Sequence, residues 1–186
     1  MTNQTLHLIA SRRSHRAYKP GQISPEQLEA LMTAALQSPS AMDRQPWHFS
    51  FVQDKELLKR VTRAAHEQAA LLEEAQRSPR FASPAFDLFY HAPTVVFIST
   101  PNGDSAVDCG IAAQTLALAA ESLGLGSVIV GLARLAFESN EREALEKALC
   151  FPEGNRFVIS IAIGTPDDDK APHTLNRDKI TLISGL

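Results

Sequence analysis

Residues 124–131, GLGSVIVG, carry three glycines in a row of eight residues, the density at which a dinucleotide-binding turn is usually sought. Such a turn must follow a strand and open a helix, so that the pyrophosphate meets the helix N-terminus. Here the order is reversed. The preceding residues 104–123 are small and apolar over helical length, Gly124 stands where a left-handed helix C-cap is usually found, and Ser127 to Val130 is a short β-branched strand. A Rossmann site is therefore disfavoured. The alternation of helices and strands along the rest of the chain, taken alone, would still suggest a doubly wound parallel sheet.

Outward from this stretch, the elements have recognisable punctuation. Residues 2–11 place Leu6, Ile9 and Ala10 at helical spacing, followed by Arg12, Arg13, Ser14 and Arg16. Ser24-Pro25-Glu26-Gln27 matches a capping box with proline at the first helical position, and the apolar face Leu28, Leu31, Met32, Ala35 carries that helix to about Gln37. Residues 38–46, framed by Pro39 and Pro46, read as a loop, and residues 47–52 (WHFSFV) as a strand. Asp54 caps a helix expected to run to about Gln76. Residues 77–93 hold three prolines and four aromatics, the composition of an irregular cover. A buried strand at 94–99, a helix from Asp104 or Ser105 to Leu123, a helix from Ser139 or Asn140 to about Leu149, and a strand at 156–163 complete the pattern, with a polar tail from Pro166.

The chain of 186 residues fits one domain, with residues 166–186 as its extended tail. Hydrophobic residues are 44% and charged residues 21%, ordinary globular usage. The net charge of -3 and scattered cations argue against a nucleic-acid footprint. Two cysteines, Cys109 and Cys150, make neither a disulfide framework nor a four-ligand zinc site, and the N-terminus lacks the apolar core of a secretory signal, so a cytoplasmic location is expected. The apolar run 111–133 is interrupted by Glu121, Ser122, Gly124 and Gly126, which excludes it as a membrane span.

Two clusters could carry chemistry. Arg12, Arg13, Ser14 and Arg16 suit a phosphate, because guanidinium groups bind its oxygens in pairs; they equally suit a solvated helix end whose arginines complement the dipole. The loop from Pro39 to Trp47 offers either a stiff backbone with fixed hydrogen bonds for a planar polar ring or simply a proline-stiffened connection. The six histidines show no metal-ligand spacing, no GxSxG elbow is present, and Cys109 falls in a helix expected to be buried, so metal, serine-hydrolase and thiol chemistry are not supported.

Taken together, SRRSHRAYKPGQIS and PSAMDRQPWHF resemble the opening RRSxRxF segment and the PSxxNxQPWxF loop of the nitroreductase family of FMN enzymes, with FYHAPTVVFIS, DCGIAAQTLALAAESLGLGSVIVG and RFVISIAIGTP continuing the likeness over residues 11–166. The resemblance implies an α+β fold with a mainly antiparallel central sheet flanked by helices and an intertwined homodimer, overruling the parallel reading. It implies an enzyme that takes electrons from NADH or NADPH and passes them to a small acceptor such as a nitroaromatic or quinone, by ping-pong hydride transfer at flavin N5 with no catalytic side chain. Arg12, Arg13, Ser14 and Arg16, with Arg177 from the tail, would hold the phosphate and ribityl chain. Pro39, Ser40 and Ala41, from the partner chain, would line the ring near Gln45, and Ile129, Val130 and Gly131 would pass close to it. Asp43 stands where the family usually carries asparagine, and an ionised carboxylate accepts but does not donate a hydrogen bond. Dehalogenation, flavin fragmentation, or a flavin-binding redox module with little turnover are the alternatives this superfold allows.

Overall fold

A computed structural model describes residues 3–101 and 103–184. Helix α1 (Gln4–Ser11) begins at Asn3, whose side chain accepts the N–H groups of Thr5 and Leu6; the expected start at Thr2 lies outside the described residues. Helix α2 (Pro25–Leu36) opens with the complete capping box between Ser24 and Gln27. After strand β1 (His48–Val52), Asp54 caps α3 (Lys55–Ala70) by accepting from Glu56 and Leu57. This helix stops at Ala70 instead of running to Gln76. Glu73 and Glu74 would add negative charge at its negative pole, and the Arg77 guanidinium instead turns back to the carbonyls of Ala70 and Leu72.

Strand β2 (Thr94–Pro101) leads to α4 (Ala106–Ser122), which starts right after Ser105 as expected, although Ser105 has a φ of 59° and makes no side-chain cap. At its other end the Leu125 N–H reaches Ala120 O and the Gly124 N–H reaches Glu121 O, a Schellman closure that needs the left-handed φ of 71° at Gly124. Strand β3 (Gly126–Val130) follows, then a 3-10 turn over Leu132–Glu138 that no local signal announced. Helix α5 (Arg142–Ala148) begins beyond the expected serine or asparagine cap, though Ser139 Oγ still accepts the Glu141 N–H. Strand β4 (Asn155–Gly164) is followed by the tail, in which Pro166 bridges Tyr18 and Arg177–Lys179 form a 3-10 turn.

The four strands form one sheet in the order β1-β2-β4-β3, and every neighbouring pair is antiparallel. The doubly wound parallel arrangement is thus wrong and the α+β arrangement is the observed one. Both faces of the central strands are covered, which is why β2 is buried from Thr94 to Thr100. One side packs α3, the 132–138 turn and an aromatic cluster in which Phe137 and Phe157 stack at 4.4 Å; the other packs α2 and α4 around Leu31, Trp47, Leu116 and Ile161. Residues 77–93 are the irregular cover anticipated, pinned by Phe81 and Phe86 edge-on to each other and by His66 against Phe86 O. Among the described residues no helix is long and apolar enough to cross a membrane.

Candidate functional site

After α1 the chain turns and runs beside β3, an edge strand. Ser14 bridges Ser127, and the His15 N–H donates to Ser127 O at 3.0 Å. Glycine is required at position 126 because the His15 ring stands 2.9 Å from where a Cβ would lie. Within this segment the arginines divide. Arg13 donates from Nη1 to the carbonyls of Ala10 and Arg12, closing α1 as the dipole argument foresaw, and leaves its buried Nε without a partner. The Arg12 and Arg16 guanidiniums make no hydrogen bond or ion pair among the described residues.

Arg16 borders a small cleft together with residues 128–132, Leu88, Arg80 and Tyr90. Ile129 is partly open to it in the middle of β3, whereas the Val130 side chain is buried in the core and contributes backbone. Gly131 follows as the first residue beyond the strand, with no side chain to narrow the opening. Across the cleft, Arg80 donates to the Tyr90 hydroxyl and lies 5.8 Å over the Tyr90 ring. Tyr90 itself has a φ of 56°, held there by Asp87, whose Oδ1 accepts from the N–H groups of Phe89 and His91.

The proline-framed loop is equally constrained. Met42, Asp43 and Gln45 all have positive φ, and Ser40 Oγ accepts the Gln45 N–H at 2.9 Å. Asp108, buried in the first turn of α4, accepts the Ala41 N–H at 3.1 Å and ties the loop to that helix. The loop side chains themselves remain outward, with Pro39, Ala41, Asp43 and Gln45 exposed. Cys109, next along α4, is fully buried; burial and the neighbouring Asp108 push its thiol up to about 11, which suits packing and not nucleophilic attack.

The two clusters do not meet within the chain. The loop is tied to the N-terminal end of α4 and Ser14 lies beside β3 just past its C-terminal end, and a helix of 17 residues is about 25 Å long. Arg177 sits exposed in its 3-10 turn and is linked to neither cluster by any hydrogen bond or ion pair.

The family model of the nitroreductase family matches residues 9–165. The chain belongs to the nitroreductase family. Among solved structures, a nitroreductase with bound FMN from Desulfitobacterium hafniense is similar over 99% of this chain and 100% of its own, with a TM-score of 0.92 and 38% identity. A protein of Archaeoglobus fulgidus, provisionally named an NADH dehydrogenase/NAD(P)H nitroreductase, is 32% identical, covering 95% of this chain and 96% of its own. An FMN reductase [NAD(P)H] of Bacillus subtilis is 31% identical over 91% of this chain and 68% of its own length.

In this nitroreductase-family chain, Ser14 is brought beside the edge strand β3 and Arg16 to residues 129–131, Arg13 turns back to the end of α1, and residues 39–45 form a separate, preorganised loop. Sequence reasoning missed Asp108, Arg80, Tyr90 and Asp168. The last is a hub: its carboxylate takes the Arg16 N–H at 3.0 Å, lies 2.6 Å from His15 Nδ1 and pairs with Lys170 at 3.0 Å. Of the four, only Asp108 had a local signal, an acid in the first turn of an apolar helix where it can satisfy backbone N–H groups.

Proposed function

We propose that this chain is an FMN-dependent oxidoreductase that takes electrons from NADH or NADPH and delivers them to a small acceptor such as a nitroaromatic or quinone, working as a cytoplasmic homodimer. The observation that carries the reading is the pair of guanidiniums, Arg12 and Arg16, free of protein partners among the described residues: Arg16 borders the open cleft with residues 129–131, and Arg12 precedes it in the segment that Ser14 joins to the edge strand. A buried, unpartnered Arg13 Nε adds an orphaned donor to the same segment. This donor set fits a phosphate carried by a flat polar ring. Relatives of known structure and name agree: the similar Desulfitobacterium protein holds FMN, and the Bacillus relative is named for FMN and NAD(P)H.

Arg12 and the Ser14 hydroxyl are the phosphate ligands in this proposal, with Arg177 joining them from the tail. Arg13 acts chiefly by fixing the end of α1 so that Arg12 is presented. FMN, when bound, supplies hydride acceptance at N5 and onward electron release to the next occupant of the pocket. The chain's own contribution is placement. Ile129, Val130 and Gly131 offer backbone and a gap free of side chain, Arg16 stabilises negative charge, and the 77–93 cover with Arg80 and Tyr90 limits water and shapes what can enter. Pro39, Ser40, Ala41, Asp43 and Gln45 form the opposite wall and are supplied by the partner chain.

Replacing Arg12 with alanine tests the anchor. A charged hydrogen bond contributes about 1.5–3 kcal/mol, so FMN affinity should fall by roughly tenfold to a hundredfold. Fluorescence titration of FMN into the apoprotein measures it; unchanged affinity in Arg12→Ala would overturn the assignment.

A further inference from the structure

A second cavity of about 410 Å³ is lined in part by residues 87–93, the segment that also borders the candidate redox cleft. The two spaces share no lining residue: Leu88 and Tyr90 line the cleft, whereas Phe89 and His91 line the cavity. Its volume falls within the range of about 300–1,000 Å³ found for small-molecule sites. The floor is apolar, built by Leu58, Phe89, Ala92 and Pro93, the first three of them buried in the core.

The mouth is cationic. Lys19, Lys55 and Lys59 stand around it in a chain whose net charge is -3. Lys59 is paired with Glu56 at 2.8 Å, but Lys19 and Lys55 make no ion pair or side-chain hydrogen bond among the described residues. Lys55 is also the first residue of α3, and the two carboxylates at that helix start are engaged elsewhere, Asp54 with the Glu56 and Leu57 N–H groups and Glu56 with Lys59. Asp87 is the acid that lines the cavity, and it is engaged: Oδ1 accepts two backbone N–H groups and Oδ2 lies 3.7 Å from His91 Nδ1. An apolar floor under free ammonium groups favours a ligand with an apolar body and one anionic end.

We propose that this cavity is a binding site for a small aromatic carboxylate, separate from the redox cleft, with the ring on Leu58 and Phe89 and the carboxylate between Lys19 and Lys55. Calorimetric titration of the purified protein with 2-naphthoate, and with neutral 2-naphthylmethanol as control, tests it. One saturable naphthoate site per chain is expected, with the neutral analogue at least tenfold weaker. The double variant Lys19→Ala/Lys55→Ala, which changes two exposed side chains, should weaken naphthoate at least fivefold, and Arg16→Ala should leave its affinity unchanged. Equal binding of the neutral analogue, an unaffected double variant, or absence of saturable binding would overturn the site. Loss of binding in Arg16→Ala would do so as well, because it would put the carboxylate in the redox cleft.

Discussion

At the scale of single residues, Asp43 stands where the loop motif that it resembles would carry asparagine, and the structure shows what the backbone asks there. Its φ of 52° is a conformation that asparagine and aspartate adopt far more readily than most residues, so the position selects a short polar side chain without choosing between them. The carboxylate is not idle: Oδ1 accepts from Gln45 Nε2 at 3.0 Å. In the proposed site this negative charge faces the flavin across the subunit boundary and opposes the charge gained on reduction. Solvent screening of so exposed a group leaves about 1 kcal/mol, which on a two-electron couple is about 20 mV. Replacing Asp43 with Asn should therefore raise the FMN midpoint potential by about that amount. Spectroelectrochemical titration of both proteins measures it, and identical potentials would remove Asp43 from the flavin's electrostatics.

Between elements, the start of the tail is fastened to the residues that follow α1 by a backbone bridge, in which the Asp167 N–H donates to Ala17 O, and by the Asp168 carboxylate. Burial works to raise the Asp168 pKa, but hydrogen bonds from the Arg16 N–H, His15 and Lys170 outweigh it and bring the group down to about 2 from an ordinary 3.8. A carboxylate depressed in the folded state contributes stability that is fully present above its unfolded pKa and is lost as the pH falls through the folded value. The window is therefore pH 4 to 2, and the amount, discounted for screening, is about 1–2 kcal/mol. Urea unfolding should show Asp168→Asn less stable than the parent by that amount at pH 6, with the gap closing towards pH 2; a gap that persists there would assign the loss to packing. Nothing in the sequence pointed to this contact, because His15 and Asp168 are separated by 153 positions, His15 fills a variable position of the arginine motif and Asp168 lies in the polar tail. The elements that were legible carry their instructions locally: the Ser24 box, the Asp54 cap and the Gly124 closure each lie within a few residues of what they terminate. Strand order was not legible from periodicity, since a fully covered antiparallel strand such as β2 has the same continuous apolar run as a parallel one. The arginine segment and the proline loop were legible as motifs, but their separation along α4 and the Arg80–Tyr90 wall depend on tertiary placement.

For the whole molecule, that separation and the distribution of exposed apolar groups point the same way. Val107 and Ile111 on α4 lie open to solvent, as do Leu6 and Ile9 on α1, which packs against it, and Met42 is exposed in the loop tied to the start of α4. Clustered exposed apolar surface of this kind marks an association face. In the homodimer proposed above, a two-fold axis across α4 would use the same patch on both copies and set the two helices antiparallel, bringing the N-terminal end of one to the C-terminal end of the other. In the proposed homodimer the loop over residues 39–45 of one copy would reach residues 12–14 of its partner, across the length of about 25 Å that α4 puts between them within one copy. Association and flavin retention should accordingly fail together. Light scattering is expected to give a dimer for the parent chain, and Val107→Glu, which places a charge in the patch, should shift it towards monomer and weaken FMN binding by about tenfold or more, or about 1.4 kcal/mol. The substitution is at a site 77% exposed in the single chain, so it leaves the fold of each copy intact. A folded Val107→Glu monomer that kept one tightly held FMN per chain would show that each site is built from one copy alone.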